Sequence, residues 1–480
     1  MKYKIIPTFL VLLLLLTTSC TKEFTLLAPH SERNVENFYK TSTDMEVAVN
    51  GIYDALQSGG TYGNTAAIAT GGTGGYWMLT EMRSDNTDQG GDISGLAAQV
   101  AVLNQFAEDA SNEFTLGAWV GSYLGIARAN VVLSNIGDVA MDQALKDQYI
   151  GEALFLRSLF YYNLALLFGN VPMPLTATVS IDEKLPQFPA ADVFNQITDD
   201  LVDAVSKLPA ISIAASGGRA TKGAAQTLLA KVYLETGAKA SAATVLNSLI
   251  SSGVYQLLSD YGDIWGPGNA NNDESIFEVQ FQSGGFGEGS GYANSFSPSS
   301  DLVGGGPTGG RNRPTTDLID AYEDGDLRFL ASMDTVYVDA AGATNDARYI
   351  KKYLSMPFGD YDADDNFIVF RYADALLMLA EADGSYSPIN QVRNRAGLAD
   401  VTNFADLGYP SFDAFVLHER RMELTFENHR WYDLLRSGTA LDVMRAHITA
   451  EGYAPPEAYQ LLFPIPQREV DLGLAQNPGY

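Results

Sequence analysis

The chain has 480 residues, 46% of them apolar, enough to bury a sizeable core and to argue against disorder. Its 58 acidic and 30 basic residues leave a net charge of -28, which argues against nucleic acid and other polyanions as ligands. One cysteine and four histidines exclude a disulfide framework and any multi-cysteine metal site, and leave little material for a histidine site.

Residues 1–19 read as a secretion signal. Lys2 and Lys4 form its positive start, and the apolar run Thr8 to Leu16 is far shorter than the ~20 residues that span a bilayer. Leu16-Thr17-Thr18-Ser19-Cys20 resembles a bacterial lipobox, in which the cysteine thiol takes a diacylglycerol and the chain is cut before it. The usual leucine three residues before the cysteine is Thr17 here. Cys20 is therefore the expected lipid attachment site, and cleavage leaves a net charge of -30. No other apolar run reads as membrane length, so the expected anchor is lipid. Residues 20–40 are polar and mixed and read as a tether.

Residues 41–258 read as a string of helices. Met45, Val49, Ile52, Tyr53 and Leu56 share one helix face, with Ser42 or Asp44 as the N-cap and Gly59-Gly60 as the stop. Residues 59–95 are glycine-dense and read as loop. Helices follow near 116–136 and 143–168; the second is apolar on most of its surface, which predicts burial, and Gly169, Pro172 and Pro174 end it. Three more are expected at 191–208, 221–236 and 238–252. Helix pairs with short turns, repeated along a chain, are the signature of an α-solenoid. Residues 259–480 change texture. Ile276 to Phe281 is the best strand candidate, and helical pattern returns at 315–322, 372–382, 388–396 and 412–436. The expected fold is mainly α, with a loop-rich second half and little sheet.

Signatures for chemistry are sparse. His418-Glu419 starts a zinc-protease pattern, but Met422 stands where the second histidine belongs. Asp360, Asp362, Asp364 and Asp365 resemble the start of a calcium loop, but Asp365 replaces its glycine and Arg371 its final glutamate; a solvated acidic loop is the plainer reading. No metal or cofactor is expected. Glu419, Arg420, Arg421, Glu423, Glu427, Arg430 and Asp433 alternate with Phe415, Met422, Phe426 and Trp431, which reads as a buried ion network more than as a catalytic site.

Six segments, in order, resemble the SusD/RagB family of outer-membrane nutrient-binding lipoproteins. They are Glu152–Arg157 with Tyr161 and Phe168–Pro172; Arg313-Pro314 with Tyr322 and Gly325–Arg328; Arg371–Ala382; Asn390–Leu398; Glu419–Arg436; and Phe463–Pro466 with Gln476–Tyr480. The link between Ala382 and Asn390 is shorter than is usual in the family. The resemblance implies a tetratricopeptide-like scaffold carrying an irregular second half. It implies a place on the exterior face of the outer membrane, as a lid on a SusC-like TonB-dependent transporter barrel. It implies capture of an oligosaccharide, or less often a peptide, without bond cleavage. A secreted glycosidase and a helical-repeat adaptor for proteins are the competing classes.

Ligand residues do not transfer by motif and are read physically. A sugar ring stacks its apolar face on an aromatic plane while amides and carboxylates bond its hydroxyls. Aromatics on glycine-rich loops fit: Tyr62, Tyr76, Trp77, Trp265, Phe286, Tyr292 and Phe296. Asp85 and Asn86 stand nearby as hydroxyl partners. The expectation is an aromatic platform on residues 60–95 and 260–300. Trp119 and Trp431 lie in helical patterns and read as core.

Overall fold

The computed structural model describes residues 38–63, 75–90, 96–177 and 185–480; the leader 1–19, Cys20 and most of the 20–40 tether lie outside the described residues. Helix α1 (Ser42–Asp54) starts with a capping box. The Thr41 hydroxyl accepts from the Asp44 N–H while the Asp44 carboxylate accepts from the Thr41 N–H. Ser42 and Asp44, the expected caps, therefore lie inside the helix. Helix α2 (Leu96–Asn104) follows the glycine-dense stretch and was not expected. Then come α3 (Glu113–Asn135), α4 (Gln143–Phe168), α5 (Ala190–Lys207), α6 (Lys222–Glu235) and α7 (Lys239–Ser251), all close to the bounds read from the sequence.

Helix α4 is the axis. It is buried on all sides from Gly151 to Phe168, and α3 and α5 pack on it. Gly125 makes the α3 contact possible, because a Cβ there would fall 2.1 Å from the Phe160 ring. Helix α3, with the turn that follows it, is long and apolar enough to cross a membrane, contrary to the expectation that only the leader comes near that length. Half of its apolar window is buried and it packs on α1 and α4, so here it is a scaffold helix. Helices adjacent in sequence pack as neighbours from α3 through α7.

The second half continues this stack. Strand β1 (Ser275–Val279) joins a later strand, β4 (Phe367–Arg371), in a fully buried antiparallel pair. Strand β4 runs straight into helix α8 (Tyr372–Asp383), which packs on α7. A hairpin of β2 (Met333–Val338) and β3 (Thr344–Ile350) lies between them. It was not expected, because its half-exposed strands lack apolar alternation. Helix α9 (Tyr386–Arg395) follows the short Gly384 turn, then α10 (Phe412–Glu423), α11 (Arg430–Arg436) and α12 (Ala440–Ala450).

The single helix expected over 412–436 is broken. Phe426 and Asn428 take positive φ, and the Glu81 carboxylate accepts their backbone N–H groups at 3.0 and 3.1 Å. Lys352 Nζ donates to the Thr425 carbonyl at 2.8 Å. The break is thus held by residues remote in sequence, which local periodicity cannot reveal. Trp119 and Trp431 are core, as expected.

Candidate functional site

The two glycine-dense stretches do meet, although more than 200 residues separate them. The Tyr292 hydroxyl donates to the Tyr62 carbonyl, and Trp77 stands edge-on to Phe296 with centroids 5.0 Å apart. They meet inside the core. Tyr62, Tyr76, Trp77, Tyr292 and Phe296 are all buried, so the exposed platform expected of them is corrected to a packed aromatic cluster that fastens the loops. Tyr353 and Phe367 complete it, their rings 5.8 Å apart and nearly parallel. The Tyr76 hydroxyl bonds to Ser122 at 2.7 Å, and burial pushes the phenols of this cluster above their ordinary range. Trp265 is half-buried against Tyr261 and Tyr353, with Lys352 Nζ 4.2 Å from its ring centroid.

Asp85 and Asn86 are also structural. Arg430 grips Asp85 by two bonds of 2.8 Å, and Arg421 Nη2 lies 3.1 Å from it. Burial alone would raise the Asp85 pKa, but Arg430 and Arg421 outweigh it and hold the carboxyl well below the usual range. The Asn86 amide donates to Glu81 and accepts from Arg421 Nε, each at 2.8 Å. Neither side chain is left for a sugar hydroxyl in this conformation.

Of the seven loop aromatics read from the sequence, Phe286 alone is broadly exposed, at 70%. Beside it lie two residues that the sequence analysis missed, Met356 and Phe358, each 74% exposed. A side chain at Gly285 would come 3.9 Å from the Phe358 ring, and one at Gly304 would come 3.1 Å from Met356 Sδ. The loops 282–288, 303–308 and 355–361 therefore adjoin, with Phe286, Met356 and Phe358 exposed on them and Asp360 beside Gly306. The signal was present: Phe358 sits between Pro357 and Gly359, outside any helical period.

The acidic loop builds this surface. Asp362 Oδ2 accepts the N–H groups of Gly284 at 3.1 Å and Gly285 at 2.7 Å, and Asp364 Oδ1 that of Ser283 at 2.6 Å. Asn294 accepts from Tyr361 N–H at 2.9 Å and donates to the Pro307 carbonyl at 2.8 Å, joining the other two loops. Asp365 is buried and accepts from Ser355; burial raises its pKa to about 6, against the lowering effect of the Ser355 bonds. Asp360 is exposed, Asp362 and Asp364 are half-buried and bonded to backbone, and Asp365 is buried, so the run is only partly solvated. Among the described residues no group of three potential ligands could hold a metal.

The charged segment is the ion network that was expected. Arg371, at the junction of β4 and α8, bonds Glu274 at 2.8 Å, Glu427 at 2.7 Å and also Glu423. Arg328 meets Asp326 and Glu419 at 2.6 Å, and Arg420 joins Asp374 at 2.8 Å to Asp433 at 2.9 Å. All these side chains are buried and mutually paired, so they cross-brace the helices and offer no open reactive group.

Two family models match the chain. One described as "SusD family" covers residues 328–480, and one described as "Starch-binding associating with outer membrane" covers residues 63–234. SusD-like protein P2 of Formosa agariphila is 26% identical over the full length of both chains. A SusD-like protein of Bacteroides ovatus is 27% identical over 69% of this chain and 67% of its own. Among solved structures, a "Laminarin binding SusD-like protein" superposes with TM-score 0.79 at 28% identity, covering 92% of this chain and 100% of its own. Surface glycan-binding protein A from Bacteroides fluxus gives TM-score 0.79 at 25% identity, with the same coverage. The long buried α4 and the arginine–carboxylate braces of the second half lie within the two matched regions, and the chain belongs to the SusD/RagB family.

Proposed function

We propose that this protein is a surface lipoprotein that binds an oligosaccharide through the exposed Phe286–Met356–Phe358 surface and passes it to a SusC-like TonB-dependent transporter barrel. The observation that carries the binding part is that surface: two exposed aromatic rings on loops held rigid by carboxylate and amide bonds to backbone. Backbone fixed in this way leaves only the ring torsions to be ordered when a sugar stacks. Each stacking contact contributes about 0.5–1.5 kcal/mol beyond area burial. With a few hydrogen bonds from Asp360 and loop backbone, capture comes out weak, roughly millimolar to tens of micromolar. Weak capture suits a protein that hands its ligand on. The solved relatives named for laminarin and surface glycans support a glycan as the cargo. The family description supports outer-membrane association, and Cys20 would supply the lipid that holds the chain there, facing the cell exterior.

Titration calorimetry with laminari-, malto-, cello-, xylo- and mannohexaose tests this reading. One of these neutral glycans is expected to bind, and Phe286→Ala and Phe358→Ala each to weaken it several-fold without change in the melting temperature. Unchanged affinity in both variants would remove the surface from the site. Steady release of reducing ends from any of the glycans would favour a glycosidase instead.

A further inference from the structure

A concavity lies at the root of the loop that carries Phe286. It is a cleft of about 450 Å³ between helix α1 and strand β1, lined among others by Gly51, Gln57, Gly218, Glu278, Gln280 and Glu288. Its volume falls in the range of about 300–1,000 Å³ typical of ligand clefts. Its polar wall is rigid. The Gln280 amide donates to Asn271 Oδ1 at 2.9 Å and accepts from Asn271 Nδ2 at 2.7 Å, while Gln57 Nε2 donates to the Gln280 carbonyl at 2.6 Å. Glu278 is buried and accepts from Asn271 N–H at 2.9 Å and Asn366 Nδ2 at 2.8 Å. No cation neutralises it among the described residues, and burial raises its pKa.

Gly51, Gly217 and Gly218 leave three lining positions without side chains. Gly51 sits inside α1, where glycine weakens a helix, yet a Cβ there would meet nothing within 4 Å. Packing therefore does not demand this glycine; what its absent side chain preserves is open space. Gly218 has φ +85°, and a Cβ there would press to 2.8 Å from Gln280 Cδ. The Gln282 N–H bonds to the Glu288 carbonyl at 2.8 Å, closing the loop whose tip is Phe286. The cleft and the aromatic surface thus lie at the base and the tip of one loop.

We infer that this cleft is a second saccharide subsite, which takes an uncharged, hydroxyl-rich part of the same glycan chain that stacks on Phe286 and Phe358. The inference rests on the glycan-binding reading above. The Gln280 amide is fully bonded within the protein and shapes the wall, whereas Gln57 Oε1 and the Glu288 carboxylate on the lining can accept sugar hydroxyls. Anions are disfavoured: Glu278 and Glu288 repel them, and Arg219, the cation on the lining, is already held by Glu152 at 2.7 Å and Asn50 at 2.7 Å.

The test is titration calorimetry of the full mature chain with a neutral hexasaccharide and its trisaccharide, using whichever linkage of the panel above binds. Gly51→Trp fills the cleft from an open helical position and is expected to keep the fold. Hexasaccharide affinity should fall about tenfold while trisaccharide affinity, set by the aromatic surface, stays within twofold. Equal hexasaccharide affinity in wild type and Gly51→Trp overturns the subsite and leaves the aromatic surface standing. Loss in Gly51→Trp but none in Phe286→Ala or Phe358→Ala supports the cleft and overturns the surface. If no neutral glycan binds the wild type, both fall. Should Gly51→Trp unfold, Gln57→Ala combined with Glu288→Ala replaces it, and unchanged hexasaccharide affinity in that variant overturns the subsite.

Discussion

Arg430 holds Asp85 by two parallel bonds of 2.8 Å, joining the loop after Trp77 to the first turn of helix α11. Both side chains are nearly closed to solvent, so each is the other's main compensation for lost hydration. Asp85→Ala leaves Arg430 buried without its bidentate partner. A destabilisation of about 3–5 kcal/mol is expected in chemical denaturation. A loss below about 1 kcal/mol would show that water reaches the pair.

Trp77 and Tyr292 belong to the buried aromatic cluster and should behave as core residues. Trp77→Ala is expected to cost about 3–5 kcal/mol through the cavity it leaves. Glycan affinity of the molecules that remain folded should hardly change. A variant of unaltered stability with weakened glycan binding would return Trp77 to the ligand site.

Asp362 positions the Phe286 loop through the N–H groups of Gly284 and Gly285. Asp362→Ala should free those amides and lower glycan affinity several-fold, with the global unfolding midpoint nearly kept. Asp362→Asn retains an acceptor oxygen and should restore most of the affinity. Equal affinities in all three proteins would mean that the loop holds its shape without this carboxylate.

Asp365 carries a pH dependence with a definite sign. Burial raises its folded pKa to about 6, above the ordinary 3.8, so the folded state binds the proton more tightly than the unfolded one. Its contribution to stability is fully present below about pH 4 and is lost as the pH rises through about 6. The two-unit difference corresponds to about 3 kcal/mol as an order of magnitude. Asp365→Asn removes this titration, so the variant should gain stability relative to wild type between pH 4 and pH 7. A difference in unfolding free energy that stays flat across that range would contradict the assignment.

The proposed lipid anchor at Cys20 is tested directly. Cys20→Ser should lose incorporation of labelled fatty acid, because the thioether carrying the diacylglycerol cannot form. Persistent acyl labelling would place the lipid elsewhere. Membrane retention alone decides nothing, since a transporter barrel would also hold the variant.

Much of the scaffold was legible along the chain because its information is local. The apolar period of α5 to α7 and the continuous burial signal of α4 depend only on residues a turn or two apart. The alternation of charge and aromatic side chains from Glu419 to Asp433 likewise foretold a buried network, since so many charges can enter a core only in pairs. Tertiary structure alone decided which aromatics reach solvent. Trp77 and Phe286 both sit on glycine-rich loops, and nothing local distinguishes them; Trp77 is buried with Phe296 packed against it, while Phe286 is exposed on a loop whose backbone Asp362 holds. The helix break at Phe426 has the same origin, in a carboxylate, Glu81, some 345 residues away. Local sequence sets the period of an element; exposure and interruption are set by partners that only the folded chain brings near.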